Sequence, residues 1–484
     1  MHNTAAWRIR MLDGHLTAEP RRTPCAQEQR KPRLALVTTV WFAGKPAAAD
    51  SPGEHGTPSH SVHMGDRFLT GWPMGGEWHA PGLDVVSAYV DQRPPPFGQG
   101  PAGARFSTLK GDDETKWDGR VLATDQWALR EKEFGVKTYS SIAEALRCGG
   151  DKLAVDAVLL IGEHGNYEKS EYQQTKYPRY EFFKEITDVF RQDGRSVPVF
   201  NDKHLSWKWD WAAEMVSLSK ELDFPFMAGS SLPTAWRMPP IDMPYGADVE
   251  EALTVSIGSI DSYDFHALDA LQCMLERRNG GETGILSVQA ARGEQVWRQM
   301  EAGSWERGGW SPRLFEACLS RSHMLGQASE YRGAYTHRYP TAAHIRELVQ
   351  DPVSYRIQYK DGTRATMLLM NGLVGDFNFA AKLKGQERVV STLFYLDSGG
   401  SGGHNVQYSS ILMSGAEKMF LTGQALYPVE RTLLSGGMTE AGCQSLAAGG
   451  KLIETPYMAD VAYTVPPHSL FGGHEELAFG GNAH

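Results

Sequence analysis

Two short stretches put chemically capable side chains directly behind apolar runs. "GEHGNY" (162–167) follows "VDAVLLI" and supplies Glu163 and His164, while "NDKHLS" (201–206) follows "SVPVF" and supplies Asp202, Lys203 and His204. Apolar runs of this length read as strands covered on both faces, and in a doubly wound parallel sheet ligands sit outside the carboxyl ends of the strands. The residues just behind strands are therefore the candidates. Thr38 and Thr39 follow "RLALV", Asp91 follows "LDVVSAYV", and His63 lies on the helix expected after the first strand. With Gly162, Glu163, His164 and Asp202 they form the set expected to line a nucleotide cofactor. An acid ending the second strand accepts hydrogen bonds from an adenosine ribose and repels a 2′-phosphate, so Asp91 favours NAD over NADP. An ordinary turn residue fits that position as well.

The histidines allow a different chemistry. His60 and His63 are spaced i, i+3 on one helical face, and His164 and His204 follow strands that point at one cleft. With Glu163, Asp202 and His266 they make a nitrogen and oxygen set suited to Zn, Mn or Fe. The spacing matches no recognised metal motif, and dispersed polar pocket residues explain it equally. A metal here would support redox-neutral elimination or hydrolysis on a keto-sugar. Arg179, Trp236 and Arg237 suit a substrate, because aromatic faces stack on sugar rings and guanidinium forks hold carboxylates.

The elements that must position these residues alternate at first. "RLALVTTV" (33–40), "LDVVSAYVD" (83–91), "KTY", "VDAVLLIGEHGNY" (155–167), "SVPVFNDK" (196–203) and "FPFMAGSS" (224–231) are strands, separated by helices such as "YEFFKEITDVFRQDG" and "WDWAAEMVSLSKELD". That grammar specifies a parallel, doubly wound sheet. Ser59 is placed to cap the helix at 59–72. Past residue 232, "EEALTVSIG", "ILSVQAAR", "VSYRIQYKDG", "TRATMLLMNG", "DFNFAAKLKG" and "RVVSTLFYLD" follow in near succession, with an Asp-Gly turn at 361–362. They read as an open, mostly antiparallel sheet interrupted by helices at 265–278 and around 293–322 and closed by two C-terminal helices. The expected class is α/β: a Rossmann-like dinucleotide-binding domain over 33–231, then an α+β domain for substrate and oligomerisation over 232–465. Residues 1–32 are expected as a flexible tail and 466–484 as a second one.

Bulk properties narrow the partners. A formal charge of -10 over 484 residues argues against nucleic acid, which needs a basic surface. Five scattered cysteines without a CxxC pair indicate neither a disulfide framework nor a zinc-thiolate site. No stretch has the ~18 apolar residues of a membrane span, and the polar leader is no signal peptide, so the reducing cytoplasm is the expected compartment.

Taken in order, these segments resemble the glucose-fructose oxidoreductase/inositol dehydrogenase (Gfo/Idh/MocA) family over roughly residues 33–465. That family carries Glu-Lys-Pro after its fifth strand, where "NDKHLS" places Lys203. It carries Asp-x-x-x-His entering a helix of the second domain, where "SYDFHALDALQCMLERR" supplies His266 and, one turn on, Asp269. "VKTYSSIAEAL" and "YPVERTLLSGGMTEAGCQSLAAGGKLIETP" resemble its short strand before a helix and its final helix and strand. The resemblance implies an NAD(P)-dependent oxidoreductase acting on a secondary hydroxyl of a sugar, polyol or glycoside. Lys203 would hold the hydroxyl, His266 would take its proton and Asp269 would orient the ring. It also implies a homodimer or homotetramer paired through the open sheet. Two departures stand out. Ser262 occupies the motif's Asp position, with Asp261 and Asp264 as replacements or mere turn residues. The Gly-x-Gly-x-x-Gly turn is absent, and Thr38–His63 with bulky Trp41 and Phe42 takes its place. The alternatives are a redox-neutral, metal-dependent carbohydrate lyase or hydrolase, and a non-catalytic sugar-binding protein.

Overall fold

The computed structural model describes residues 7–12, 15–20, 30–41, 59–93, 106–108, 111–115, 127–165, 167–327, 338–396 and 407–472. Met1–Lys31 is a unit by itself. Read from sequence as a flexible tail, it contains an antiparallel hairpin in which Trp7–Leu12 pairs with His15–Pro20. Pro32–His484 forms the second unit.

In that unit six strands make a wholly parallel sheet: β1 (Arg33–Thr38), β2 (Asp84–Val90), β3 (Lys137–Tyr139), β4 (Ala157–Ile161), β5 (Val199–Asp202) and β6 (Phe226–Gly229). Their order is β3-β2-β1-β4-β5-β6, so the chain reverses direction across the sheet between β1 and β4. This is the arrangement that opens a crevice at the switch point. Alternation on β1 shows why the run had to be apolar throughout. Ala35 and Val37 join a core closed by the Arg179–Asp193 and Trp209–Glu221 helices, while Leu34 and Leu36 join another closed by Tyr408–Thr422.

The helix behind β1 is irregular. Asp66 N donates to Ser61 O, a wide five-residue turn, before Arg67–Thr70 continues as α-helix. Ser59 does not cap it; His60 holds that position without a side-chain cap bond.

Eight further strands form the second sheet: β7 (Trp236–Met238), β8 (Val249–Ser256), β9 (Ile285–Arg292), β10 (Val353–Tyr359), β11 (Arg364–Leu369), β12 (Phe377–Leu383), β13 (Val390–Tyr395) and β14 (Ile453–Glu454). The order is β7-β13-β12-β8-β11-β10-β9-β14, antiparallel except for β8 against β11. One face packs on the Tyr263–Leu275 and Glu430–Ala447 helices through residues such as Leu271, Leu434 and Met438.

The other face is not bare, which corrects the expectation of an exposed sheet. Leu253, Val255, Leu368, Met370 and Ala380 lie under Val296 and Trp297 of the Glu294–Ala302 helix, Leu314, Phe315 and Leu319 of Pro312–Leu319, and Ile345 of Ala342–Leu348. The chain covers its own second face, so the apolar liability that called for a partner subunit is absent there. Among the described residues no helix is long and apolar enough to cross a membrane, and Cys148, Cys273, Cys318 and Cys443 are free thiols.

Candidate active site at the carboxyl edge of the parallel sheet

The site is built where β4 and β5 end. Glu163 follows β4 and is buried, with one oxygen 3.3 Å from Lys203 Nζ behind β5 and the other bonded to Arg179. Burial pushes the Glu163 carboxyl up, but Lys203 and Arg179 together outweigh it and hold the group well below the usual carboxylate range. Arg179 is fully buried, lies over the Tyr177 ring at 4.9 Å and reaches His204 Nε2 at 3.1 Å. His204 Nδ1 donates to the Ser206 carbonyl at 2.9 Å, which leaves Nε2 as the acceptor for Arg179. Gly162 is needed for this packing. A Cβ there would stand 2.5 Å from Arg179 Cγ. The glycine makes room for a side chain of the protein itself. Arg179, expected to hold substrate, is an internal counter-ion.

A second layer faces it. Asp202 Oδ2 bonds His60 Nδ1 at 2.6 Å, and the His60 ring meets His63 and His164 edge-on at 4.4 and 5.0 Å. His63 Nδ1 is 2.8 Å from Ser409 Oγ. Burial lifts Asp202 to about 6 against the pull of Lys203. Burial also lowers His60, His63, His164, His204 and His266 below the ordinary histidine value, so all five are neutral near pH 7.

His266 comes from the second lobe, on the Tyr263–Leu275 helix. After burial, the Lys203 ammonium is the strongest influence lowering it, which places the imidazole within the field of the lysine. Its Nδ1 has no hydrogen-bond partner among the described residues. Backbone strain gathers here too: of six non-glycine residues with positive φ among those described, His164 (67°), Lys203 (63°) and Asp261 (61°) belong to this cluster. Each such conformation costs about 1–3 kcal/mol and persists where the surroundings impose it.

Several expected site residues are used otherwise. Asp269 does not orient His266, because its oxygens accept from Ser230 N at 2.9 Å and Ser435 Oγ at 3.1 Å, tying the helix to β6 and the Glu430–Ala447 helix. The Thr38 hydroxyl is spent on the Ile161 and Val40 carbonyls and Ser61, and that of Thr39 on the Glu163 carbonyl; both are buried stitches between β1 and β4. Arg237 is committed to Asp242, backbone carbonyls and the faces of Phe394 and Phe471, so it offers no fork to a ligand. Trp236 sits in edge strand β7, paired with Tyr395. Asp91 is buried, and its oxygens accept from Tyr89 OH and Tyr167 OH, each at 2.8 Å. Trp41 does not stand over the cleft but lies in the core, bonded to Asp66 at 3.0 Å. Phe42 is outside the described residues. The histidines do gather, yet among the described residues no group of three or more His, Cys, Asp or Glu is disposed to hold a metal ion.

Sequence reasoning left Asp261 and Asp264 open between replacements for the motif acid and turn residues, and passed over Tyr167 and Tyr177. Asp261 Oδ2 accepts the Thr175 N–H, its Oδ1 has no partner among the described residues, and burial lifts the group to about 7. Asp264 caps its own helix, accepting from Ser262 N and Phe265 N, with Tyr355 OH on its other oxygen at 3.0 Å. Nothing in the local sequence distinguishes these two acids; only the fold separates them.

No protein-family model matches the sequence, and no curated protein does. Among solved structures, the chain is similar to GenD2 from gentamicin A biosynthesis in complex with NAD (13% identity, 90% of this chain and 99% of that one, TM-score 0.47). It is also similar to a probable dehydrogenase from Thermotoga maritima (10%, 88% and 99%, TM-score 0.47) and to scyllo-inositol dehydrogenase from Lactobacillus casei with bound NAD(H) and scyllo-inositol (9%, 88% and 99%, TM-score 0.46).

Proposed function

We propose that the chain is an enzyme that oxidises a secondary hydroxyl of a sugar, polyol or glycoside, with NAD as hydride acceptor. One observation carries this reading: the lysine at the end of β5, held by buried Glu163, acts electrostatically on a neutral histidine of the other lobe whose Nδ1 has no hydrogen-bond partner among the described residues. Lys203 donates from its ammonium to the substrate oxygen, and a point charge with three donors suits an alkoxide in formation. His266 takes the hydroxyl proton, and its depressed proton affinity keeps the imidazole unprotonated at neutral pH. Glu163 holds Lys203 in place through their ion pair, and Arg179 helps keep Glu163 ionised.

The residues fit a dinucleotide in three respects. The strand order opens the crevice at β1 and β4. Gly65 lets the first helix approach the sheet, since a Cβ there would meet Leu36 Cδ2 at 3.2 Å. Asp91 directly follows β2, where an acid can accept from a ribose. Asp91 would hold the cofactor's ribose, and its nicotinamide would supply the hydride-accepting carbon. Residues 42–58, where a pyrophosphate turn would fall, are outside the described residues.

The test is NAD reduction by the purified protein over a panel of inositols, aldoses and glycosides, repeated with His266→Ala. Turnover lost in the variant supports the reading, whereas no reduction with any substrate sinks it. One observation favours a second reading, redox-neutral acid–base chemistry at the same residues: each Asp91 oxygen already accepts a tyrosine hydroxyl. Product formation without any nicotinamide would select it.

A further inference from the structure

We propose that Tyr167 stands where an adenosine ribose would sit on Asp91, and that residues 167–177 form a strap that a dinucleotide must lift. The inference rests on the NAD reading above.

The two tyrosines on Asp91 are not equivalent. Tyr89 belongs to β2, is wholly buried and bonds Oδ1 from within the sheet. Tyr167 arrives from the loop behind β4, is partly exposed and bonds Oδ2. A ribose offers hydroxyl donors to such a carboxylate, and the Tyr167 phenol supplies one donor to the same atom. Burial, then the Asp91 charge, pushes this phenol well above its ordinary value, so it remains a donor. Tyr167 is thus the replaceable partner.

The strap is closed on itself by its own hydrogen bonds. Ser170 N donates to Gln174 O at 2.7 Å, Lys176 N donates to Glu168 O at 2.8 Å, and the Ser170 hydroxyl accepts from Tyr172 N and Gln174 N. The Tyr167 and Tyr177 rings meet edge-on at 5.7 Å across its base. A segment closed in this way moves as a unit. Its outward ties include the Tyr167 hydroxyl on Asp91 at one end and the Thr175 N–H on Asp261 at the other, with Lys176 over the Trp207 ring at 5.9 Å and Arg179 over the Tyr177 ring at 4.9 Å. Asp261 lies five residues before His266 and leads into the same helix. Lifting the strap at the nucleotide end therefore releases a contact next to the base.

A hydrogen bond to a charged group is worth a factor of about 10–100 in an equilibrium. Tyr167→Phe removes the competitor and leaves Asp91 Oδ2 in need of a donor, so NADH and ADP-ribose should bind about tenfold or more tighter than to the wild type, as read by calorimetry. Tyr89→Phe, which alters the same carboxylate without touching the strap, should give no such gain. In the unaltered protein, added NADH should speed amide hydrogen exchange in 167–177, Thr175 above all. Equal NADH affinity in Tyr167→Phe and wild type, with unchanged exchange, overturns the strap and leaves NAD binding standing. Failure of both proteins to bind NADH or ADP-ribose overturns the NAD reading and the strap with it.

Discussion

Glu163 Oε1 lies 3.3 Å from Lys203 Nζ across the carboxyl ends of two neighbouring strands, while its second oxygen holds Arg179. One carboxylate thus neutralises two buried cations, and neither can be left alone without cost. Glu163→Gln should destabilise the protein by about 3–5 kcal/mol in denaturant unfolding, the range for breaking a buried pair from one side. A loss below about 1 kcal/mol would mean that water reaches these cations.

His266 should control the acid limb of the rate profile. Its folded proton affinity is depressed, so the imidazole stays unprotonated, and active, as pH drops past the ordinary histidine value of about 6.5. Turnover efficiency, kcat/KM, should hold level from pH 7 to below 6.5 and fall only at lower pH. His266→Asn should reduce kcat by about 10²–10⁴-fold with the melting temperature little changed. An acid limb centred above 6.5 in the wild type would remove His266 from the role of base.

Gly162→Ala tests whether that glycine serves Arg179. The new methyl would meet Arg179 Cγ at 2.5 Å, and Arg179 is buried with its guanidinium fixed at the other end. Overpacking of this kind costs about 1–3 kcal/mol. Activity should fall together with stability, because Glu163 loses its alignment on Lys203. An alanine variant of wild-type stability and rate would show that the helix start can shift freely.

The covered sheet face predicts a monomer in sedimentation velocity at micromolar concentration, against the dimer or tetramer that an uncovered sheet would have required. Phe315→Ala should destabilise by about 3–5 kcal/mol, since its ring is buried between the Pro312–Leu319 helix and the sheet. A stable dimer that dissociates on substitution of Phe315 would place the interface on that face after all.

Much of the fold was legible because its signals are local. Apolar, β-branched runs at 33–40 and 155–161 read as strands covered on both faces, and their alternation with helices allows few sheet orders. The placement of Glu163, Asp202 and Lys203 at strand ends followed directly from that. What failed were inferences about side-chain direction. Asp269 shares a helix with His266, three residues on, yet its carboxylate points to Ser230 and Ser435. Arg179 and Arg237 carry the right chemistry for a substrate, but both are consumed by internal acids and ring faces.

The order of residue types along the chain therefore determined the two-sheet architecture and the edge at which the chemistry gathers, since periodicity and strand ends are properties of a few consecutive residues. Tertiary structure alone decided which acid meets which base, that Tyr167 lies on Asp91, and that the second sheet is covered by its own chain. Those pairings join residues that are not neighbours in sequence, 16 positions apart for Glu163 and Arg179 and 76 for Asp91 and Tyr167, and in a packed interior the available neighbour, not the residue type, settles what each buried charge does.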